Sequence, residues 1–194
     1  MKLQNETSKK HASPQVAKHG RWYDDACGTA FAMELVGERW TLLIVRELMF
    51  GPRRFSDLRA SLPGISAKTL TERLEAMQVA GLALRRELPS PGRVQVYELT
   101  EWGQRAEVAV MELGRWAALS IRHDPTLPLS AASMMMSLRT MLLRDAAMGE
   151  VMTVGFDIGG ETFVVRLAKG ELPIRREPLE GAQAIFRVPE APTL

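Results

Sequence analysis

Through the middle of this chain the apolar residues recur at helical spacing, broken by turn signals at regular places. Between positions 55 and 62 the residues Phe55, Leu58 and Leu62 keep one helical face. Pro63-Gly64 stops that segment, because proline cannot continue a helix and Pro-Gly favours a tight turn. Ser66 then stands as an N-cap, with Ile65 before it and Leu70 four residues after it at the two hydrophobic-staple positions. The spacing predicts a second helix over residues 66–80, with Leu70, Leu74 and Met77 facing inward and Gly81 ending it. Two apolar-rich runs follow, 82–88 and 94–99, around Pro89-Ser90-Pro91-Gly92 as a hairpin tip. Helix, turn, helix and ribbon in that order make a winged DNA-reading device.

On either side of this stretch the pattern continues. Residues 27–36 and 39–50 read as helices, separated by Gly37, the second ended by Gly51-Pro52. Thr100 caps a long helix running from 101 to about 121, in which Trp102, Ala106, Ala109, Leu113, Trp116 and Ser120 recur at three- and four-residue steps, as in a coiled-coil seam. Two prolines mark 123–130 as a linker. Beyond it the character changes. Residues 131–148 read as a helix with Met134, Met135, Met141 and Met148 on one face, and short strands follow at 151–158, 161–169, 172–177 and 182–188, with Gly159-Gly160 as a tight hairpin. The expected fold is therefore mainly α with a β-wing (22–122), preceded by a flexible basic tail (1–21) and followed by a small α+β accessory domain (131–194).

The polar face of the 66–80 helix carries the functional expectation. Ser66, Lys68, Thr69, Thr71, Glu72 and Arg73 crowd its N-terminal half, the half a recognition helix presents to base edges and phosphates. Arg and Lys donate to guanine or phosphate, Ser and Thr bond either, and Glu accepts from the cytosine amino group. A plain amphipathic helix with a solvated face has the same pattern. The hairpin separates the two readings, because Arg85, Arg86 and Arg93 make it basic, as suits a wing along a phosphate backbone. Arg54 is placed to anchor that backbone. The whole chain carries a formal charge of only +2, so its distribution matters more than its sum. Between residues 53 and 93, eight basic residues (Arg53, Arg54, Arg59, Lys68, Arg73, Arg85, Arg86, Arg93) stand against four acidic ones.

At this point the residues carry a resemblance. Cys27, Met33-Glu34-Leu35, Gly37, Arg39-Trp40, Arg46-Glu47-Leu48, Gly51, Arg54-Phe55, Leu58, Leu62-Pro63-Gly64-Ile65-Ser66, Leu70-Thr71, Arg73-Leu74, Gly81-Leu82, Tyr97, Leu99-Thr100 and Gly103 resemble the HxlR family of bacterial winged helix-turn-helix transcriptional regulators, more distantly related to MarR proteins. The departures are Gly28 after the cysteine and Ala67 at the start of the recognition helix, where the family often has proline. The resemblance implies a cytoplasmic, nucleoid-associated homodimer on inverted-repeat operator DNA. It implies a dimer seam built from the first and last helices of the module, with Phe31, Leu35, Trp102, Ala106, Ala109, Leu113 and Trp116. It also implies a redox switch at Cys27, since several members sense oxidants or electrophiles with a thiol there. Physical chemistry divides on that point. A helix N-terminus lowers a thiol pKa and the adjacent Asp24 and Asp25 raise it, while a small residue buried near the seam is the competing reading.

The accessory segment resembles, weakly, the start of a sterol-carrier-protein-2-like domain, and the chain stops where such a domain would continue into further helices and a pocket wall. A truncated or reduced form is expected, with Met and Phe side chains available to line a pocket for a small hydrophobic ligand. The alternative overall reading is a lipid- or hydrophobe-binding protein whose winged module is mainly a dimerisation scaffold.

Other chemistry finds little support. A single cysteine excludes an intramolecular disulfide framework, and no run approaches the roughly 18 apolar residues of a membrane span. The polar start lacks a signal-peptide core; its Lys2, Lys9, Lys10, Lys18 and Arg21 read either as a phosphate-binding arm or as an idle leader. His11, His19 and His123 fall in tail and linker without metal-ligand spacing. With no phosphate-binding glycine loop and no nucleophile elbow, neither catalysis nor a cofactor is expected.

Overall fold

The computed structural model describes residues 23–89 and 93–191. The first part contains α1 (Gly28–Val36), α2 (Thr41–Leu48), α3 (Phe55–Ser61), α4 (Ala67–Val79), β1 (Ala83–Leu88), β2 (Val94–Leu99), α5 (Glu101–Gln104) and α6 (Glu107–Ala118). The second contains α7 (Ala131–Thr140), β3 (Met152–Ile158), β4 (Glu161–Leu167), β5 (Ile174–Arg176) and β6 (Ala184–Val188).

The helix-turn-helix is α3, the turn through Gly64, and α4. Leu58, Leu62, Ile65, Leu70, Leu74 and Met77 are all buried in one core, so the staple pair Ile65 and Leu70 closes on the inner side as the spacing requires. Ser66 caps α4: its hydroxyl accepts the Thr69 N–H at 3.0 Å. Gly64 and Gly81 hold φ of 89° and 72°, values that β-carbon-bearing residues rarely adopt. β1 and β2 form the antiparallel wing, with Ala83 opposite Leu99. Arg53 adds a minimal third strand, exchanging two backbone bonds with Tyr97 at 2.9 and 2.8 Å. At the base of the wing Thr100 accepts the Gly103 N–H at 3.0 Å and donates to the Gly81 carbonyl at 2.7 Å. Gly103 then lies so close to the chain that a β-carbon would stand 2.1 Å from the Leu82 carbonyl oxygen.

Two helices are shorter than expected. The helix over 101–121 divides into α5 and α6, and its end unwinds after Ala118. The break is a tightened turn: Arg105 N–H reaches the Trp102 carbonyl at 3.1 Å and Ala106 N–H that of Gly103 at 3.2 Å. The helix over 131–148 stops at Thr140. There Arg115 Nε and Nη2 donate to the Thr140 carbonyl at 3.1 and 2.6 Å, which supplies a cap from a distant helix. Arg139 fastens the same end by donating to the Leu172 and Ile174 carbonyls and pairing with Glu107 at 2.7 Å.

The four-stranded sheet runs β5-β4-β3-β6, with β6 parallel to β3 and the other pairs antiparallel. Its inner face packs directly on the winged module. Ala132, Met135, Met136, Ile158, Phe163, Val165 and Ile174 belong to the same buried cluster as Ile44, Leu48 and Phe50. Phe50 meets Phe163 edge-on at 6.0 Å, and the Arg176 N–H donates to the Phe50 carbonyl at 2.8 Å. One continuous core thus joins α2 to α7 and the sheet.

Candidate nucleic-acid interface

The buried stripe of α4 decides what its other face presents. With Leu70, Leu74 and Met77 locked inward, Ser66, Lys68, Thr71 and Glu72 are exposed on the opposite side. Lys68 is 87% exposed and only loosely paired with Glu72, at 3.9 Å one helical turn on. Such an exposed pair contributes little to stability, so the ammonium is free to exchange its partner for a phosphate or a base. Thr69 is half-buried, its hydroxyl 2.8 Å from that of Ser66. Thr71 donates to the Ala67 carbonyl at 3.0 Å and keeps its lone pairs outward.

Arg73 departs from the expected role. Its side chain is 21% exposed and turned toward the loop between α1 and α2, where Nη1 meets Glu38 Oε2 at 3.2 Å. It supports the helix from behind. Arg53, counted on sequence among the charges available to DNA, is also withdrawn. It is buried, its guanidinium held by Glu161, the Asp57 carbonyl and Ser61. Arg54, Arg59 and Arg85 are exposed and have no ion-pair partner among the described residues. Arg86 pairs with Glu98 at 2.7 Å and the exposed Arg93 with Glu87 at 3.5 Å. Most of the tip, residues 90–92, and the whole basic tail, residues 1–21, lie outside the described residues. The local positive excess is therefore smaller than the sequence count, and it concentrates on Arg54, Arg59, Lys68 and the wing.

Cys27 is the N-cap of α1 and is exposed in the single chain. The backbone N–H groups of Thr29 and then Ala30, with the Thr29 hydroxyl, hold its thiol below the ordinary value. Asp25 accepts the Cys27 N–H at 2.9 Å.

The expected seam residues divide. Leu35 and Ala106 pack against the chain's own core. Phe31, Trp102, Ala109, Leu113 and Trp116 are exposed. Sequence reasoning missed the charged ladder behind the interface, Arg46, Glu47, Arg53, Glu161 and Arg176. Its members are spread over two halves of the chain, and no local signal joins them.

Known proteins match the first part of this chain. The model of the HxlR-like helix-turn-helix family matches residues 35–125, ending before α7. The HTH-type transcriptional regulator YvaP of Bacillus subtilis is 36% identical over 87 residues, 44% of this chain and 80% of that protein. YodB of the same organism, also an HTH-type transcriptional regulator, is 37% identical over 86 residues, 44% of this chain and 77% of YodB. An HTH-type regulator of Mycobacterium tuberculosis is 46% identical over 85 residues, and there the match spans only 53% of the relative. Among solved structures, the reduced form of YodB is similar at 34% identity and a TM-score of 0.46, over 50% of this chain and 98% of that one. The chain belongs to the HxlR-like helix-turn-helix family of transcriptional regulators.

Proposed function

We propose that this chain works as a homodimer that reads inverted-repeat operator DNA, with α4 in the major groove and the β1–β2 wing along the backbone. The observation that carries the reading is the division of α4 into a core-locked apolar stripe and an exposed face bearing Ser66, Lys68, Thr71 and Glu72. Ser66 and Lys68 contact phosphate or base edges at the N-terminal turn. Glu72 accepts from an exposed cytosine amino group. Thr69 serves mainly through its backbone cap. Arg54, at the start of α3, and Arg85 and Arg93, on the wing, neutralise phosphates. Arg73 acts as a support for α4 through Glu38.

Dimerisation is supported by what the single chain leaves uncovered. α1 has the sequence GTAFAMELV and no buried residue. On α6 only Met111 is buried, while Leu113, Trp116, Leu119 and Ile121 stand in solvent at or beyond its end. A second copy covering both helices would set two recognition helices one DNA turn apart, about 34–36 Å, the spacing of a pseudo-palindrome.

The test is fluorescence-anisotropy binding to DNA recovered by selection from random fragments, measured with excess competitor at two salt concentrations. Saturable, competitor-resistant and salt-steep binding is expected. Binding that competitor abolishes on every selected fragment would reject operator reading.

A further inference from the structure

The loop between α1 and α2 is held against the helix-turn-helix at two points. Glu38 of this loop meets Nη1 of Arg73, on α4, at 3.2 Å. Two residues on, Trp40 Cη2 lies 3.7 Å from the place a β-carbon on Gly64 would occupy, in the turn that leads into α4. Trp40 holds φ of 80°, a left-handed conformation that a tryptophan adopts only under constraint. Between the two anchors stands Arg39. Its guanidinium lies over the Trp40 ring, 5.1 Å from the centroid. The residue is exposed and forms no ion pair among the described residues.

Many exposed arginines are solvated charges and nothing more. Three features set this one apart. Stacking on an indole that is itself packed on the turn restricts the side chain before any partner arrives, so less rotamer entropy is lost on binding. A stacked guanidinium also keeps N–H groups in its own plane, the arrangement that suits two oxygens of one phosphate. The third feature is the acidic neighbour. Glu38, which would repel a phosphate, is engaged by Arg73, and the first turn of α2 carries no acidic residue. Arg73, withdrawn from the exposed face of α4, thus offsets the carboxylate beside Arg39. The wing residues Arg86 and Arg93, by contrast, each have a carboxylate of their own to give up.

We propose that Arg39 is a further positioning residue for DNA reading, gripping one phosphate at the flank of the groove that α4 enters. The inference rests on the reading of α4 as the recognition helix. Base edges are reached by that helix itself; a loop docked on its side meets the phosphates bordering a groove about 12 Å wide. Such a contact fixes register and orientation and carries no sequence information. The charge count over residues 53–93 could not find it, because Arg39 lies before that segment and reaches the helix-turn-helix only through the contacts of Glu38 and Trp40.

Anisotropy titrations of the full chain with a random-sequence duplex and with a selected operator fragment, each over a range of salt, test the assignment. Arg39→Ala should reduce the slope of log affinity against log salt by about 0.9 on both DNAs. It should weaken both by a similar factor, roughly tenfold at the lowest salt. Arg39→Lys should keep the slope, because the charge remains, and recover only part of the affinity, because an ammonium lacks the planar fork. Arg175→Ala removes another exposed arginine, from β5 in the C-terminal sheet, and should leave the slope unchanged. If Arg39→Ala shifts the urea midpoint, Arg39→Gln, which keeps an apolar stem over the indole, decides by the same slope. An unchanged slope would overturn the assignment. An equal fall in Arg175→Ala would also overturn it, by reducing the effect to net charge, and so would a loss confined to the operator, which would mean base reading. A wild-type chain that binds neither duplex would sink the operator proposal as well, whereas steep wild-type binding with an unchanged Arg39→Ala slope strikes Arg39 alone.

Discussion

Arg53 and Glu161, 108 residues apart, meet in a two-point ion pair: Nη1 to Oε2 at 2.6 Å and Nη2 to Oε1 at 3.1 Å. The Arg53 backbone is meanwhile the third strand of the wing. One residue therefore ties the β1–β2 ribbon to the first residue of β4 in the C-terminal sheet, and the two halves cannot separate without stripping a buried guanidinium.

Removing one partner of such a pair leaves an uncompensated charge, which costs more than the pair itself contributes. Arg53 is 5% exposed and Glu161 29%, so solvent relieves part of the loss. Arg53→Met should destabilise the chain by about 3 kcal/mol, toward the low end for a broken buried pair. Arg53→Met combined with Glu161→Leu should not recover it, because Glu161 also holds Arg176 Nε at 3.2 Å and that guanidinium would lose its carboxylate. Urea unfolding checks it; a loss within about 0.5 kcal/mol, the usual spread of surface substitutions, would show that the two halves do not lean on this contact.

Lys68→Ala and Arg85→Ala should each reduce the slope of log affinity against log salt by about 0.9, one phosphate neutralised per residue. Arg73→Ala should behave differently. Because Arg73 is engaged with Glu38 behind α4, its loss should lower the urea midpoint and leave the salt slope unchanged. Equal salt slopes for wild type, Lys68→Ala and Arg85→Ala would remove both residues from the phosphate interface.

These contrasts show what was legible along the sequence. The limits of α4 were readable because its determinants are local: a serine cap, a staple, apolar residues at steps of four and three, and a terminal glycine. Only the first and last residues of the expected 66–80 span prove to be caps. The direction taken by Arg73 was not readable, since periodicity assigns a face to a backbone position but does not say which neighbouring loop a long side chain reaches. Arg53 failed in the same way. A charge count treated it as available to DNA, whereas its acceptor is on β4. At the early end of α7 Arg115 of α6 donates to the Thr140 carbonyl, a tertiary contact that helix propensity cannot contain.

Cys27 should titrate early. The Thr29 and Ala30 N–H groups favour the thiolate, so the folded pKa lies below that of the unfolded chain. The sign follows directly: this group's share of stability is present above the unfolded pKa and is lost as pH falls through the folded one. The rate of alkylation by iodoacetamide, followed against pH, should have its midpoint below the ordinary thiol value of about 8.5. The same titration in urea should return to that value. Coincident midpoints in folded and unfolded protein would mean that the N-cap geometry does not hold the thiolate in solution.

The dimer proposal is most exposed to test at Trp116. It is 73% exposed on α6, and the surrounding Leu113 and Leu119 give it no cover within the chain. Burying an aromatic side chain of this kind against a second copy is worth about 1.5–3 kcal/mol, and a carboxylate in its place must be desolvated instead. Trp116→Glu should therefore weaken association by at least about tenfold while the monomer keeps its fold, because the side chain contributes nothing to the core. Light scattering at micromolar concentration should give twice the chain mass for wild type and a mass falling toward one chain for the variant. Affinity for a palindromic operator should fall with it, whereas affinity for a single half-site should not. A wild-type chain that scatters as a monomer would reject the seam outright, and a variant that remains fully dimeric would move the interface away from this end of α6.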